Sequence, residues 1–399
     1  MAFSYIILGA GRQGIAAGYD LAVFGEASRV TFADFNPKAA EAAAARVNEL
    51  VHDHIADSFA LDVRDEHAVR HTFKSYNVAL SAVPYFYNLS LTRAAIESGL
   101  SFCDLGGNTE IVRQQHELDR EASRAGVCVV PDCGMGPGMG NTLAVYAMSL
   151  VGDPEHIFMY DGGLPQKPRA PWNYALTFSI EGLTNEYYGG MTILRNGELF
   201  HAPCFTELEM IDIPPLGQME AFLIAGGVST APWTFKGKLK TYQLKVLRYP
   251  GTFAQLKAFS DLGLFEEQPV QIDDTEIAPR KVFHNLFEKQ VRVNDPRDVC
   301  IVRVRAIGTR HGRRTEALVE IIDYYDEKTK FTAMQRLTGW HMSIVAAMIA
   351  KGKIKAGSTP LELAVPGDAF VKEAKRRGLK IREEILTFSP AEQPQLQLV

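Results

Sequence analysis

Cysteine is scarce in this chain and arranged in no recognisable framework. Five stand in 399 residues, at positions 103, 128, 133, 204 and 300, and no two form a C-x-x-C pair. That spacing argues against a zinc site and against a disulfide-built fold, and it fits a reduced, cytoplasmic setting. The histidines are scattered, so no metal is expected. No apolar run approaches the eighteen or more residues of a spanning helix, so no membrane partner is expected. The first residues run straight into an apolar stretch, so no signal peptide is expected. Basic stripes are missing too. Lys236–Lys240 and Lys351–Lys355 are short, and the net charge is −5. Nucleic acid is therefore not an expected partner. There is no internal repeat.

What is present is ordinary globular material, 46% apolar and 22% charged, in a length that suggests two to three domains. The most informative stretch is Tyr5-Ile6-Ile7-Leu8-Gly9-Ala10-Gly11-Arg12-Gln13-Gly14. An apolar run stops at G-x-G-x-x-G and a helix-like segment follows. A second apolar run, 29–33, ends at Asp34, twenty residues after Gly14. Strand, glycine turn, helix, strand and acid make up the dinucleotide-binding arrangement. Gly9 permits the tight turn, Gly11 leaves room for the pyrophosphate, and Gly14 lets helix and strand lie close. The helix start, with Arg12 and Gln13, offers N–H groups to the phosphates. Asp34 can accept both ribose hydroxyls and would repel a 2′-phosphate, which predicts NAD rather than NADP, although Lys38 and Arg12 are near enough in sequence to pair a phosphate.

The first 135 or so residues alternate strand and helix, with further strands expected at 58–63, 77–83, 101–106 and 126–132. Helices are expected at 38–52, 65–74, 87–98 and 110–125. This predicts an α/β, doubly wound Rossmann domain with a buried parallel sheet. The character changes near Asp153. Residues 174–180 alternate with period two. Residues 298–307 and 316–325, joined through His311-Gly312-Arg313-Arg314, read as an antiparallel hairpin. A second α+β domain with a mixed or antiparallel sheet is therefore expected over 151–338. Helical spacing returns at 340–350 and 368–377, which sends the chain back to the first domain and assigns it 1–150 plus 339–399. The Pro- and Gln-containing tail 389–399 has little to bury and is expected to be mobile.

Ligands of open α/β sheets lie beyond the carboxyl ends of the strands. That rule selects Asp62 for the adenine side, Val83 and Pro84 for the nicotinamide side, then Tyr85, Asp104 and the glycine-dense stretch Asp132–Asn141. Asp104 is either a catalytic carboxylate or the cap of its turn. Tyr85 either orients substrate or is a buried aromatic. Cys133 reads better as a core residue than as a nucleophile.

These segments resemble the saccharopine dehydrogenase family. The resemblance rests on Val83-Pro84-Tyr85, on Asp104-Leu105-Gly106-Gly107 and on Cys133–Asn141. It continues through 179–190, which is similar to the corresponding stretch of L-lysine 6-dehydrogenases, and through Gly226–Thr230 and Lys245–Gly251. It covers nearly the whole chain to about Arg382. It implies a Rossmann domain, a catalytic and dimerisation domain, and pyridine-nucleotide chemistry at a carbon–nitrogen bond. A homo-oligomer, dimer or larger, is expected with it. In the lysine branch the ε-amine of L-lysine is oxidised to an aldehyde that cyclises to a six-membered imine. Relatives reduce an imine, as in saccharopine or carboxynorspermidine synthesis. A third reading keeps the nucleotide site without turnover.

Oxidising an amine requires a base to take the ammonium proton first. Asp104 leads, with Tyr85 and Glu181 as alternates. Arg248 offers a two-pronged receptor for an α-carboxylate, or a structural ion pair. Glu181 can hold an α-ammonium. Trp172 and Tyr174 can wall an aliphatic stem, or be plain core. Asn141 and Thr230 complete the expected substrate contacts.

Overall fold

A computed structural model describes residues 2–294 and 296–388. The tail 389–399 lies outside the described residues. The first sheet is built from β1 (Phe3–Leu8), β2 (Ala27–Asp34), β3 (Ala56–Ala60), β4 (Val78–Ser81), β5 (Ser101–Asp104) and β6 (Cys128–Val130). With the two-residue strand Gly357–Ser358 beside β6, the spatial order is 357–358, β6, β5, β4, β1, β2, β3, all parallel. Strand β1 is central, and Tyr5 to Leu8 are wholly buried. Tyr5 and Ile7 pack into one apolar cluster, Ile6 and Leu8 into another, so helices cover both faces. This is the doubly wound class. Its switch point, where the strand order reverses, falls between β1 and β4, beside the glycine turn.

The second sheet contains β7 (Asp153–Pro165), β8 (Gly190–Arg195), β9 (Glu198–Pro203), β10 (Glu209–Ile213), β11 (Gly217–Leu223) and β12 (Thr241–Arg248). A small exposed hairpin, β13 (Val270–Ile272) with β14 (Thr275–Ile277), stands apart. The long strands β15 (Asp298–Arg310) and β16 (Arg313–Tyr324) follow. They pair antiparallel across a turn in which His311 and Gly312 both have positive φ, the geometry that suits a two-residue hairpin. Order in this sheet is β10, β11, β12, β7, β15, β16 and then Ile381–Thr387, with β8 and β9 attached at β12. The chain thus returns to the first sheet through Gly357–Ser358 and leaves it again for the second.

Some local expectations shift for identifiable reasons. The alternating segment 174–180 is not a strand. It runs as an extended connection, with Leu176 N–H donating to Val291 O at 2.9 Å and Arg12 reaching Thr177 O at 3.2 Å. The helix expected at 340–350 starts earlier and spans Ala333–Ala350, because Thr332 and Gln335 form a capping box at its start. The helix expected over 110–125 breaks at Leu118 into Thr109–Glu117 and Asp119–Ala125. Helix Ala333–Ala350 is buried along nearly its whole length and packs between the two sheets. It lies on helix Arg12–Phe24 at Gly339, where an added Cβ would stand 2.8 Å from Gln13 O.

Candidate active site

The glycine turn is shaped as a nucleotide cradle requires. Gly9 has φ +98°, and a Cβ there would meet Ala82 O at 2.8 Å. The turn is thereby pressed against the segment that carries Val83 and Pro84. A Cβ on Gly14 would lie 2.2 Å from Gly9 O. Gly11 differs, since a Cβ there would meet no protein atom within 4 Å. Packing does not require that glycine, whereas an approaching ligand does. Helix Arg12–Phe24 starts at Gly11 with no side-chain cap and no acid in its first turn, so its N–H groups and positive dipole end remain for an anion. Asp34 ends β2 and accepts from Ala10 N–H (2.8 Å) and Asn36 N–H (2.9 Å). It ties the glycine turn to the ribose side of the site. Lys38 is exposed on the following helix. These residues fit a dinucleotide.

The remaining sequence candidates fall into several places. Asp62 lies beyond β3 but is clasped by Arg64, with Nη2 to Oδ2 at 2.6 Å, and this partner holds its carboxyl down at about 2. Tyr85 sits against Gly107, beyond β4 and β5; a Cβ on Gly107 would be 3.4 Å from its ring. Asp104 is fully buried. Its Oδ1 accepts from Gly106 N–H at 2.7 Å and its Oδ2 from Gln115 Nε2 at 2.7 Å. Burial raises its pKa to about 6.

Asn141 is buried and donates to Val228 O at 3.0 Å, so it fastens helix Met139–Val151 to the loop that holds Thr230. From that loop Ser229 Oγ donates to Asp132 Oδ2. Asp132 draws attention on its own geometry. It stands at the end of β6 with φ +63°, is buried, and its Oδ1 has no partner. Burial is the main force that pushes its pKa to about 8.

Arg248 ends β12 and is only 3% exposed. Its Nε donates to Tyr187 Oη (2.9 Å), Nη1 to Leu247 O (3.0 Å) and Nη2 to Glu186 (3.2 Å). Its guanidinium also faces the Tyr174 ring at 5.5 Å. Glu181, the acid expected beside it, is elsewhere. It is 57% exposed and lies 3.6 Å from His284 and 4.0 Å from Arg280. The short helix Ile180–Asn185 carries Glu181 outward, and the chain turns Glu186 inward as that helix ends. Trp172 packs on Phe259 and Phe287, and with Tyr174, Leu183, Tyr187 and Leu256 it lines a small cavity.

The most telling residue is one that sequence reading passes over. Asp161 lies in mid-strand on β7, 6% exposed. A Cβ on Gly136 would stand 2.0 Å from its Oδ2, so the glycine loop beyond β6 rests directly on this carboxylate. Burial and the nearby Glu186 raise its pKa to about 7, against the pull of Arg248. Its sequence signal is a single acid inside the apolar run Ile157–Leu164. Around the same region Gln13 Oε1, Asp132 Oδ1, Tyr174 Oη and Thr177 Oγ1 are buried without hydrogen-bond partners. Orphaned buried polar atoms are rare in native proteins, so these are places where a polar ligand or an ordered water would find a partner. Among the described residues no cluster of three or more His, Cys, Asp or Glu is arranged to hold a metal, and no helix is long and apolar enough to cross a membrane.

Comparison with known proteins agrees with this architecture. Residues 5–130 match the saccharopine dehydrogenase NADP binding domain, and residues 134–379 match the saccharopine dehydrogenase C-terminal domain. The saccharopine dehydrogenase [NADP(+), L-glutamate-forming] of Schizosaccharomyces pombe is 26% identical over 148 residues, 36% of this chain and 32% of that protein. Its Saccharomyces cerevisiae counterpart is 23% identical over 232 residues, 55% of this chain and 51% of that protein. The mitochondrial alpha-aminoadipic semialdehyde synthase of Mus musculus is 23% identical over 51% of this chain and 23% of its own length. The chain thus spans about half or less of these curated relatives. The solved structure of apo saccharopine dehydrogenase (L-Glu forming) from Saccharomyces cerevisiae superposes with a TM-score of 0.77 at 18% identity, covering 96% of this chain and 100% of that one, and it establishes the shared fold. With two matched domains spanning nearly all of the described residues, the chain belongs to the saccharopine dehydrogenase family.

Proposed function

We propose that this chain is a pyridine-nucleotide oxidoreductase acting at the carbon–nitrogen bond of an amino acid, with NAD as cofactor and L-lysine, oxidised at its ε-amine, as substrate. In this reading residues 1–150, with the return from 339, hold the nucleotide, and 151–338 receive the substrate and mediate dimerisation. The observation that carries it is the cluster of buried Arg248, its half-buried partner Glu186 and buried Asp161, with the Asp161 carboxylate against the loop beyond β6. One guanidinium beside two carboxylates suits a ligand with more ammonium than carboxylate groups. Lysine has two ammonium groups and one carboxylate, whereas saccharopine brings three carboxylates. Arg248 would hold the α-carboxylate and Glu186 the α-ammonium. Trp172 and Tyr174 would border the stem. Asp104, its oxygens already bonded, would hold the Leu105–Gly107 backbone in place, with Tyr85 beside it. The bound nucleotide would supply the hydride acceptor.

The preference for NAD rests on Asp34, a carboxylate where a 2′-phosphate would need a cation. The second reading is an imine-forming reductase using NADP. It is favoured by the names of the curated relatives, which include NADP(+) and L-glutamate-forming. A substrate panel separates the two. Purified protein receives NAD or NADP with L-lysine, cadaverine or saccharopine, and reduced cofactor is followed by absorbance. The proposal expects the highest kcat/KM with NAD and L-lysine. Turnover of saccharopine with NADP, and none of L-lysine, would replace it with the second reading.

A further inference from the structure

We propose that Asp161 is a catalytic residue that contacts the reacting amine and takes its proton before oxidation. The assignment rests on the amino-acid reading given above.

The geometry places Asp161 on the nucleotide side of the substrate cluster. Its carboxylate touches the backbone of Gly136, in the loop that leaves the carboxyl end of β6. Two residues along β7, on the same strand face, a Cβ on Gly163 would lie 3.6 Å from Thr177 Oγ1. Thr177 O in turn accepts from Arg12, the first helical residue after the glycine turn. Asp161 therefore lies against the β6 loop, and the same strand face continues to Thr177, which the Arg12 side chain reaches. Arg248 lies at the far end of the same face. Asp161 is the register partner of Val246, and Arg248 is two residues further along β12. Two residues of strand and one step between neighbouring strands put the two Cα atoms about 8 Å apart. Lysine spans roughly 6 Å from Cα to its ε-nitrogen, five staggered single bonds, and its α-carboxylate extends that reach on the other side. With the α-carboxylate on Arg248, an extended lysine stem delivers its ε-amine to Asp161.

The Asp161 carboxylate is more than nine-tenths buried, yet none of the hydrogen bonds among the described residues engages it. Arg248, the nearest cation acting on it, directs one N–H each to Tyr187, Leu247 O and Glu186 and none to Asp161, which leaves its two remaining N–H groups for a carboxylate. The Asp161 oxygens are not among the fully enclosed partnerless atoms, so they keep an open side, and an incoming ammonium supplies a donor there. The proton balance then closes. The ε-ammonium gives one proton to Asp161. The freed nitrogen lone pair forms the C=N bond as hydride leaves Cε for the pyridine nucleotide. Water adds to the resulting iminium, ammonia leaves, and the aldehyde remains. In sum, lysine, oxidised nucleotide and water give aldehyde, reduced nucleotide, ammonium and one proton.

The test uses the full chain and the isosteric Asp161→Asn variant, with Asp161→Ala in parallel. L-lysine turnover with NAD is measured. Binding of L-lysine and of 6-hydroxynorleucine, which has a hydroxyl in place of the ε-amine, is measured by calorimetry. Asp161→Asn should lower kcat/KM for L-lysine by about 10²-fold or more and weaken L-lysine binding, while leaving 6-hydroxynorleucine affinity within a few-fold. Formate should partly restore turnover to Asp161→Ala by refilling the carboxylate position, a rescue that a purely structural residue would not show. Nucleotide affinity reports folding, and if either variant loses it, Asp161→Glu carries the same comparison with the charge displaced. A native chain that oxidises L-lysine while Asp161→Asn does so within five-fold overturns this assignment alone. Equal weakening of both ligands with no formate rescue does the same. A native chain that neither binds nor oxidises L-lysine overturns the lysine reading and this assignment together.

Discussion

Gly11 and Gly14 belong to one motif, yet the structure gives them different work, and a pair of alanine substitutions separates the two roles. At Gly14 a Cβ would stand 2.2 Å from Gly9 O and 3.2 Å from an Ile7 methyl. Backbone cannot yield as a flexible side chain does, and overpacking of this kind costs about 1–3 kcal/mol. For a domain of this size that is a fall in melting temperature of about 2–4 °C per kcal/mol. At Gly11 the same Cβ meets nothing within 4 Å, and φ is −78°, open to any residue. Alanine there stabilises by about 0.4–1 kcal/mol through the unfolded chain, and loses on the order of 1 kcal/mol as a poorer helix cap than glycine. The net change is near zero. A nucleotide pyrophosphate approaching Gly11, however, would meet the new methyl, and a penalty of about 1.4 kcal/mol or more means at least tenfold weaker binding. Thermal melting without nucleotide, paired with a fluorescence titration of NADH, reads both quantities. Gly11→Ala should melt like the native chain and bind at least tenfold more weakly; Gly14→Ala should lose stability as well. If Gly11→Ala keeps native affinity, or melts as low as Gly14→Ala, the cradle is misplaced.

Three further outcomes are expected. Asp34→Ser should narrow or reverse the preference for NAD in kcat/KM, and a native protein that already prefers NADP refutes the argument from that carboxylate. Arg377→Leu should cost about 3–5 kcal/mol in urea unfolding, because Asp20, fully buried and held by Arg377 Nε at 2.7 Å, would lose its cation and, with burial already raising its pKa, would have to take up a proton or stay charged and unpaired; a loss below 1 kcal/mol would show that Ser343, its other donor, suffices. Burial raises the folded pKa of Asp132 to about 8 and of Asp161 to about 7, above their unfolded values, so the folded state holds more protons and stability should fall as pH rises from about 6.5 to 8. The buried histidines His116 and His341, lowered to about 4, act only below that window. Unfolding free energies at pH 6.5 and 8 test the sign, and Asp132→Asn should flatten the slope.

The nucleotide half of the molecule is legible in sequence because its signals are local. Tyr5–Leu8 must be a buried strand, since four consecutive apolar residues are followed at once by a glycine turn, and the acid at 34 is set by the length of one helix and one strand. The hairpin at His311-Gly312 is legible for the same reason, turn chemistry being a property of neighbouring residues. The substrate cluster is different. Glu181 and Glu186 look alike in sequence. Which one meets Arg248 depends on where a six-residue helix ends and how it lies against β12. Residues 174–180 alternate like a strand, but their Leu176 N–H goes to Val291 O and Thr177 O accepts from Arg12, so the segment pairs with a helix end and a side chain rather than with a sheet edge. Asp161 has a sequence signal, one acid among apolar residues. What that acid does becomes visible only when the loop at Gly136, twenty-five residues earlier in the chain, is seen resting on its carboxylate. Periodicity and turn residues, read from the sequence alone, determined that a nucleotide fold exists and where its phosphate turn lies. Tertiary packing decided which carboxylates face the cleft, because burial and neighbouring charge are set by chain segments far apart in sequence.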